Sequence, residues 1–305
     1  MRQTTIGRRI SCSGIGLHSG KEVGITLRPA AGNAGIVFHV RTPDGSRAVR
    51  PAPDAVTTAG LATTLGGNGV SVATVEHLAA ALRGLGVDNI HVDVDGGEVP
   101  VMDGSAAAFA ELISKAGIRR QSCARRVLRI KRPVRFAAEG KWIRAEAYDG
   151  FFVDYFVDFP HPAIGAQRIT LDLTPDTFSA VASARTFGFL RDVEMLHKAG
   201  LGLGGSLDNA IILDDTGVLN PGGLRYEDEF VRHKLLDFIG DTAMSPLPLQ
   251  GRFTVHCSGH GLNNAFLRHI FASRDLFLEE RVLDEHPAGH LAPATRRPAA
   301  RICAG

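Results

Sequence analysis

The chain has 305 residues, with 34 Lys+Arg against 32 Asp+Glu for a formal charge of +2; 44% of residues are hydrophobic and 22% charged. This is globular composition, which excludes wholesale disorder, and the length suits about two domains at roughly 100–200 residues each. So even a charge balance provides no basic field that would make nucleic acid the expected partner.

The first 40 residues read as β structure with glycine turns, with short β-branched segments at 24–29 and 35–40 bounded by Gly and Pro. Apolar residues recur at helical spacing over 74–83 (Val75, Leu78, Ala79, Leu82), with Thr74 as the expected N-cap. They do so again over 105–115 (Phe109, Leu112, Ile113), with Gly117 as the stop, and residues 89–94 alternate as a strand does. Residues 119–132 carry seven Lys/Arg and no acid: Arg119, Arg120, Arg125, Arg126, Arg129, Lys131 and Arg132. They read as a solvated interdomain linker running into a strand, or as a patch for phosphate or anionic lipid.

The pattern then restarts. Segments 127–130, 134–136, 142–147 and 151–159 read as strands, and 191–199, 226–239 and 263–272 as helices. Each half runs strands first and helices later, the order of α+β layers. The expected fold class is therefore α+β: two similar domains, 1–122 and 127–280, each a β-sheet layer packed on helices, a duplicated two-layer sandwich. The tail 281–305, with Pro287, Pro293 and Pro298, is expected to be poorly ordered.

Cys12, Cys123, Cys257 and Cys303 are scattered and form no C-x-x-C pair, a usage that suits a reducing cytosol. The basic N-terminus lacks the apolar stretch of a signal peptide, and no run reaches the ~18 apolar residues needed to span a bilayer. A cytoplasmic protein is expected.

The stretch 226–241, YEDEFVRHKLLDFIGD, is the richest in chemistry. On a helix, His233 and Asp237 share one face and Asp241 follows one turn later, a spacing at which imidazole and carboxylate can grip one divalent cation or simply bond each other. Glu76-His77 lies on an otherwise apolar helix. A set of His77, His233 and Asp237 would leave a fourth metal position for water, with Glu76 beside it as general base. His260, between Gly259 and Gly261, is free to act as acid or electrostatic anchor or to sit in an ordinary turn, and Thr186 can donate to an oxyanion. Residues 200–206 (GLGLGGS) contain a formal G-x-G-x-x-G, but after a helical segment instead of a strand.

Together these motifs resemble the UDP-3-O-acyl-N-acetylglucosamine deacetylases, the zinc enzymes of lipid A biosynthesis in Gram-negative bacteria. The matching segments are 13–20 (SGIGLHSG), 74–78 (TVEHL), 85–89 (LGVDN), 102–106 (MDGSA), 185–189 (RTFGF), 202–208 (GLGGSLD), 230–241 and 259–264 (GHGLNN), in family order. The resemblance implies hydrolysis of the N-acetyl group of UDP-3-O-acyl-N-acetylglucosamine to acetate and the free amino sugar, the committed step of lipid A biosynthesis. It implies one Zn²⁺ per chain, or Fe²⁺ on the same ligands in the cell, held by His77, His233 and Asp237. Glu76 matches the base, His260 the acid or electrostatic catalyst held by Asp241, and Thr186 the oxyanion donor. Lys234, Phe187 and Phe189 match contacts near the sugar; Phe159 and Lys141 match the uridine and diphosphate region.

A β-α-β insert near 189–214 would form a passage for one acyl chain, lined by Leu190, Val193, Gly202, Gly205, Ser206 and Ile212. One departure is Cys257, where the pattern leads one to expect a basic residue near the nucleotide phosphates. The implied partner is a nucleotide sugar with one acyl chain, without nucleic acid or a transmembrane segment, and with transient contact at the inner membrane surface. Two other classes compete: a small-metabolite kinase using the 200–206 loop, and a non-catalytic binding protein for the nucleotide sugar or acyl chain.

Overall fold

A computed structural model of the chain describes residues 1–283. The first half contains strands β1 (Arg2–Ile6), β2 (Ile10–Ile15), β3 (Glu22–Pro29), β4 (Ile36–Thr42), β5 (Gly45–Val49), β6 (Val56–Thr58), β7 (Thr64–Gly67) and β8 (Val70–Val72). Helix α1 (Glu76–Gly84), strand β9 (Ile90–Asp95) and helix α2 (Ala107–Ala116) follow. In β3, Val23, Ile25 and Leu27 are buried and the residues between them half-buried, the period of a sheet with one covered face. The sheet order is β2-β3-β9-β4-β5, with β9 and β4 parallel and the other pairs antiparallel. Strands β6, β7 and β8 form a separate small sheet.

The second half contains β10 (Ile118–Ile130), β11 (Val134–Ala138), β12 (Lys141–Glu146), β13 (Phe151–Phe159), β14 (Gly165–Asp172), helix α3 (Ser179–Ala182), β15 (Phe187–Phe189), α4 (Leu190–Lys198) and β16 (Ile211–Leu213). Helix α5 (Glu229–Thr242), β17 (Leu249–His256), α6 (His260–Ala272), α7 (Arg274–Phe277) and β18 (Leu278–Leu283) complete it. Five strands of its sheet run β11-β12-β17-β13-β14, with β17 and β13 parallel, and β10, parallel to β17, joins β1 and β18 to the same sheet. Order and sense repeat those of the first sheet: a hairpin, a late strand inserted in the middle, a second hairpin. Helices lie between: α1 on α5, α5 on β13 and β14, α6 on β11 and β12, α2 on β2. The architecture is α+β, with one apolar core running through both halves.

Several expectations shift. Thr74 does not cap α1: it has a left-handed backbone (φ 58°), its hydroxyl donates to Glu98 at 3.1 Å, and the helix begins at Glu76. The basic segment 119–132 is no open linker for most of its length. Residues 118–130 are one strand crossing the expected 122/127 boundary, pairing with β1 in its first part and with β17 and β18 in its last. Three of its arginines are ion-paired: Arg125 with Asp88, Arg126 with Glu280, Arg129 with Asp149. Residues 281–283, expected in the tail, belong to β18, where Arg281 pairs with Val127. Residues 284–305 lie outside the described residues. The β-α-β insert is present as β15, α4 and β16, its two strands parallel. No helix among the described residues is long and apolar enough to cross a membrane.

Candidate active site and metal centre

Helices α1 and α5 cross in the core, and glycine sets how closely. A Cβ at Gly240 would run into the carbonyl group of Glu76, so only glycine lets the first turn of α1 lie against α5. The crossing brings His77 from α1 to His233 and Asp237 on α5, and one donor atom from each lies within 4.8 Å of the others. Asp237 Oδ1 is 3.2 Å from His233 Nε2 and 3.6 Å from His77 Nε2, and the two imidazoles meet edge-on.

All three residues are buried. Among the described residues Asp237 Oδ1 has no hydrogen-bond donor, an expensive arrangement for a carboxylate unless a cation completes it. His233 Nδ1 donates to the carbonyl of Ala184 at 3.0 Å, leaving Nε2 as the lone-pair donor toward Asp237. Burial pushes the His233 imidazolium down to about 3 despite Asp237, so it is the neutral ligand form. Asp237 stays ionised: burial opposes this, but His233, Lys234 and His260 hold it well below the usual carboxylate range. Two imidazole nitrogens and one carboxylate oxygen fit a divalent metal with an open fourth position.

Two further groups flank this cluster. Glu76 Oε1 and Asp237 Oδ2 lie 3.8 and 3.7 Å from His260 Nε2. Burial raises the Glu76 carboxyl, in opposition to His260 and His77, which favours a group able to hold a proton. His260 opens α6, and its Nδ1 donates to Asp241 Oδ2 at 2.9 Å. Burial alone would lower this imidazole, but Asp241 and then Asp237 push it up to about 10. An acid-holding histidine and a proton-accepting carboxylate thus face one point beside the His77, His233 and Asp237 cluster.

Beyond them, Lys234 Nζ donates to Asp237 Oδ2 at 2.8 Å and lies over the ring of Phe187. Phe159, Phe187 and Phe189 form an aromatic wall with His161, ring centroids 5.6–6.5 Å apart. Thr186, half-buried, opens onto a cavity of about 610 Å³, which Leu190, Val193, Gly202, Gly205, Ser206 and Ile212 also line. Lys141, exposed at the start of β12, makes none of these contacts among the described residues, while its neighbour Trp142 pairs with His256, four residues before His260.

The 200–206 loop is no phosphate cradle, because its amides are all spent. Gly202 N–H donates to His18 Nδ1, Leu203 to the His18 carbonyl, Gly204 to Leu17, and Ser206 to Asn209 Oδ1. Gly200, Leu201 and Gly205 bond to His197, Leu196 and Gly202. Gly204 is needed because a Cβ would meet the Gly16 carbonyl. Among the described residues no backbone amide of 200–206 remains to hold phosphate, which disfavours the kinase reading.

Three supporting residues carry no legible sequence signal of their own. Thr63, fully buried, donates its N–H to Glu76 Oε2 at 3.1 Å and its hydroxyl to Asp241 Oδ1 at 2.6 Å. Asn263 donates to Asp241 Oδ2 at 2.8 Å. Glu229 holds the segment leading to Thr186 by accepting from Arg185 N and Nε at 3.0 and 2.9 Å. Asn263 lies within the 259–264 motif and Glu229 beside 230–241, but Thr63 belongs to no motif.

Comparison with known proteins bears on this arrangement. The family model described as LpxC, UDP-3-O-acyl N-acetylglycosamine deacetylase, matches residues 3–272. A UDP-3-O-acyl-N-acetylglucosamine deacetylase of Nitratidesulfovibrio vulgaris is 60% identical over 302 residues, covering 99% of this chain and 97% of the relative. Those of Lawsonia intracellularis (53% identical, 88% and 89% covered) and Haemophilus influenzae (45%, 96% and 98%) are also similar.

Proposed function

Since the chain belongs to the UDP-3-O-acyl-N-acetylglucosamine deacetylase family, we propose that the α1–α5 cluster is the metal-assisted active site for its amide hydrolysis. The protein is a hydrolase of lipid A biosynthesis, converting UDP-3-O-acyl-N-acetylglucosamine to UDP-3-O-acyl-glucosamine and acetate. What carries the assignment is a buried Asp237 oxygen without a donor, facing His77 and His233 beside Glu76 and His260.

His77, His233 and Asp237 would hold one Zn²⁺, or Fe²⁺ in the cell. When bound, the metal supplies Lewis acidity and lowers the pKa of water toward ~7. Glu76 takes the proton of the attacking water as its oxygen bonds to the acetyl carbon. The Thr186 hydroxyl donates to the carbonyl oxygen as it gains charge. His260, kept cationic by Asp241, gives its Nε2 proton to the amine as the C–N bond breaks.

Lys234 and the wall of Phe159, Phe187 and Phe189 would receive the nucleotide sugar, and the 610 Å³ cavity its acyl chain. Exposed Leu61, Leu190, Met195 and Leu207 border that cavity, supporting a cytoplasmic enzyme that touches the inner membrane surface transiently to collect its substrate.

The direct test is acetate release from UDP-3-O-acyl-N-acetylglucosamine. Activity should vanish on chelation and return with stoichiometric zinc; release unaffected by complete metal removal would refute the metal assignment. Glu76→Ala should lower kcat by roughly 10²–10⁴-fold while one metal per chain remains bound. Full turnover in that variant would sink the base assignment.

A further inference from the structure

The proton machinery has two arms, Glu76 on one and Asp241–His260 on the other, and one small residue outside both motifs bonds to each, through its backbone amide and its hydroxyl. Thr63 lies in the segment between β6 and β7, far from α5 in sequence, and is completely buried. Its amide donates to Glu76 Oε2 at 3.1 Å, which leaves Oε1 as the oxygen turned toward His260. Its hydroxyl proton goes to Asp241 Oδ1 at 2.6 Å. With that oxygen occupied, Oδ2 is the one that accepts from His260 Nδ1 at 2.9 Å and from Asn263 at 2.8 Å. The hydroxyl oxygen in turn accepts from Asn264 Nδ2 at 3.3 Å, and Asn264 also donates to the His260 carbonyl at 2.9 Å, so the orientation of the Thr63 hydroxyl is fixed from both sides.

We propose that Thr63 is a positioning residue for the hydrolysis. Its hydroxyl fixes which Asp241 oxygen serves His260, and its amide fixes which Glu76 oxygen serves as base. This rests on the roles proposed above for Glu76, Asp241 and His260. A buried carboxylate that loses one donor rotates toward those that remain, or retains an unpaired oxygen; either moves the imidazole it holds. Displacing a proton-transfer group slows the chemical step and leaves binding of the nucleotide and acyl chain, which lie elsewhere, unchanged.

Thr63→Val keeps shape and the backbone donor to Glu76 and removes only the hydroxyl. It should lower kcat by roughly ten- to a hundredfold, with KM within about twofold and one metal per chain retained. Thr63→Ser should restore kcat to within about threefold of the unsubstituted protein. The decisive comparison places Thr63→Val in a His260→Ala background, where it should cost no more than about twofold further, because the residue it acts through is gone. A Thr63→Val protein with unchanged kcat, a loss confined to KM, a loss that Ser does not repair, or a full additive loss in the His260→Ala background would each overturn the proposal. A fully active His260→Ala protein would instead refute the role given to His260 itself, so the two failures are distinguishable.

Discussion

Replacing Gly240 by Ala is expected to destabilise the protein and disable its metal site, although the same change inside an ordinary helix adds about 1 kcal/mol of stability. Gly240 lies in the last turn of α5, within the helix and fully helical. A methyl there would meet the Glu76 backbone, with the carbonyl carbon 2.8 Å and Cα 3.0 Å from the new Cβ. Backbone of a buried helix cannot swing aside as a flexible side chain can, so the helices must separate. Overpacking of this kind costs about 1–3 kcal/mol, which reverses the sign of the propensity gain.

The functional loss should be larger than the loss of stability. Glu76 and His77 ride on α1, whereas His233, Asp237 and Asp241 ride on α5, so separation stretches every distance across the site. A shift near 1 Å can cost on the order of 10²-fold in rate. Metal retained after gel filtration should drop, and kcat should fall at least about a hundredfold. A Gly240→Ala protein of higher denaturation midpoint and normal metal content would show that the contact yields without cost.

Removing the carboxylate of Glu229 should have the largest effect on stability. Glu229 is wholly buried at the start of α5 and accepts from Arg185 N, Nε and Nη2 and from Arg225 N at 2.5–3.1 Å. Burial would raise its pKa, but Arg185 and Arg225 outweigh that and hold it below the usual carboxylate range. Glu229→Ala leaves the Arg185 guanidinium buried with, among the described residues, only the Gly223 carbonyl to accept from it. Breaking a buried ion pair from one side typically costs about 3–5 kcal/mol, because the remaining charge is uncompensated.

The denaturation midpoint should fall accordingly with an unchanged slope, and Glu229→Gln, which keeps one acceptor, should lose less. The segment from Ala184 to Thr186 carries both the acceptor for His233 and the hydroxyl proposed to serve the oxyanion, so weaker metal binding should accompany the loss of stability. A midpoint unchanged in the Ala variant would mean that water replaces the carboxylate at little cost.

Much of this site is legible residue by residue. With 3.6 residues per turn, His233, Asp237 and Asp241 fall on one face of any helix drawn through 226–241, and Glu76-His77 stands out on an apolar helix because each needs a partner there. Alternation likewise marks β3 and β13, where one covered face imposes a period of two. The resemblance of ordered motifs extends this to chemistry, since a family's site residues recur in its motifs.

Other features depend on contacts far apart along the chain. β9 and β17 enter the middle of their sheets after the hairpins on either side have been made, and local alternation cannot say which strand a segment will join. The segment 119–132 looks like a linker by charge, yet pairing with β1, β17 and β18 makes most of it a strand, with Asp88, Glu280 and Asp149 neutralising three of its arginines. The glycine-rich loop looks like a phosphate site until its amides are seen to be bonded to the 17–18 turn and to itself. Sequence alone determined which residues are chemically able to act, because side-chain type and helical period are local properties. Tertiary structure alone decided that His77 meets Asp237 across Gly240, and that Thr63 joins Glu76 to Asp241, because those meetings depend on how two helices and a distant loop pack.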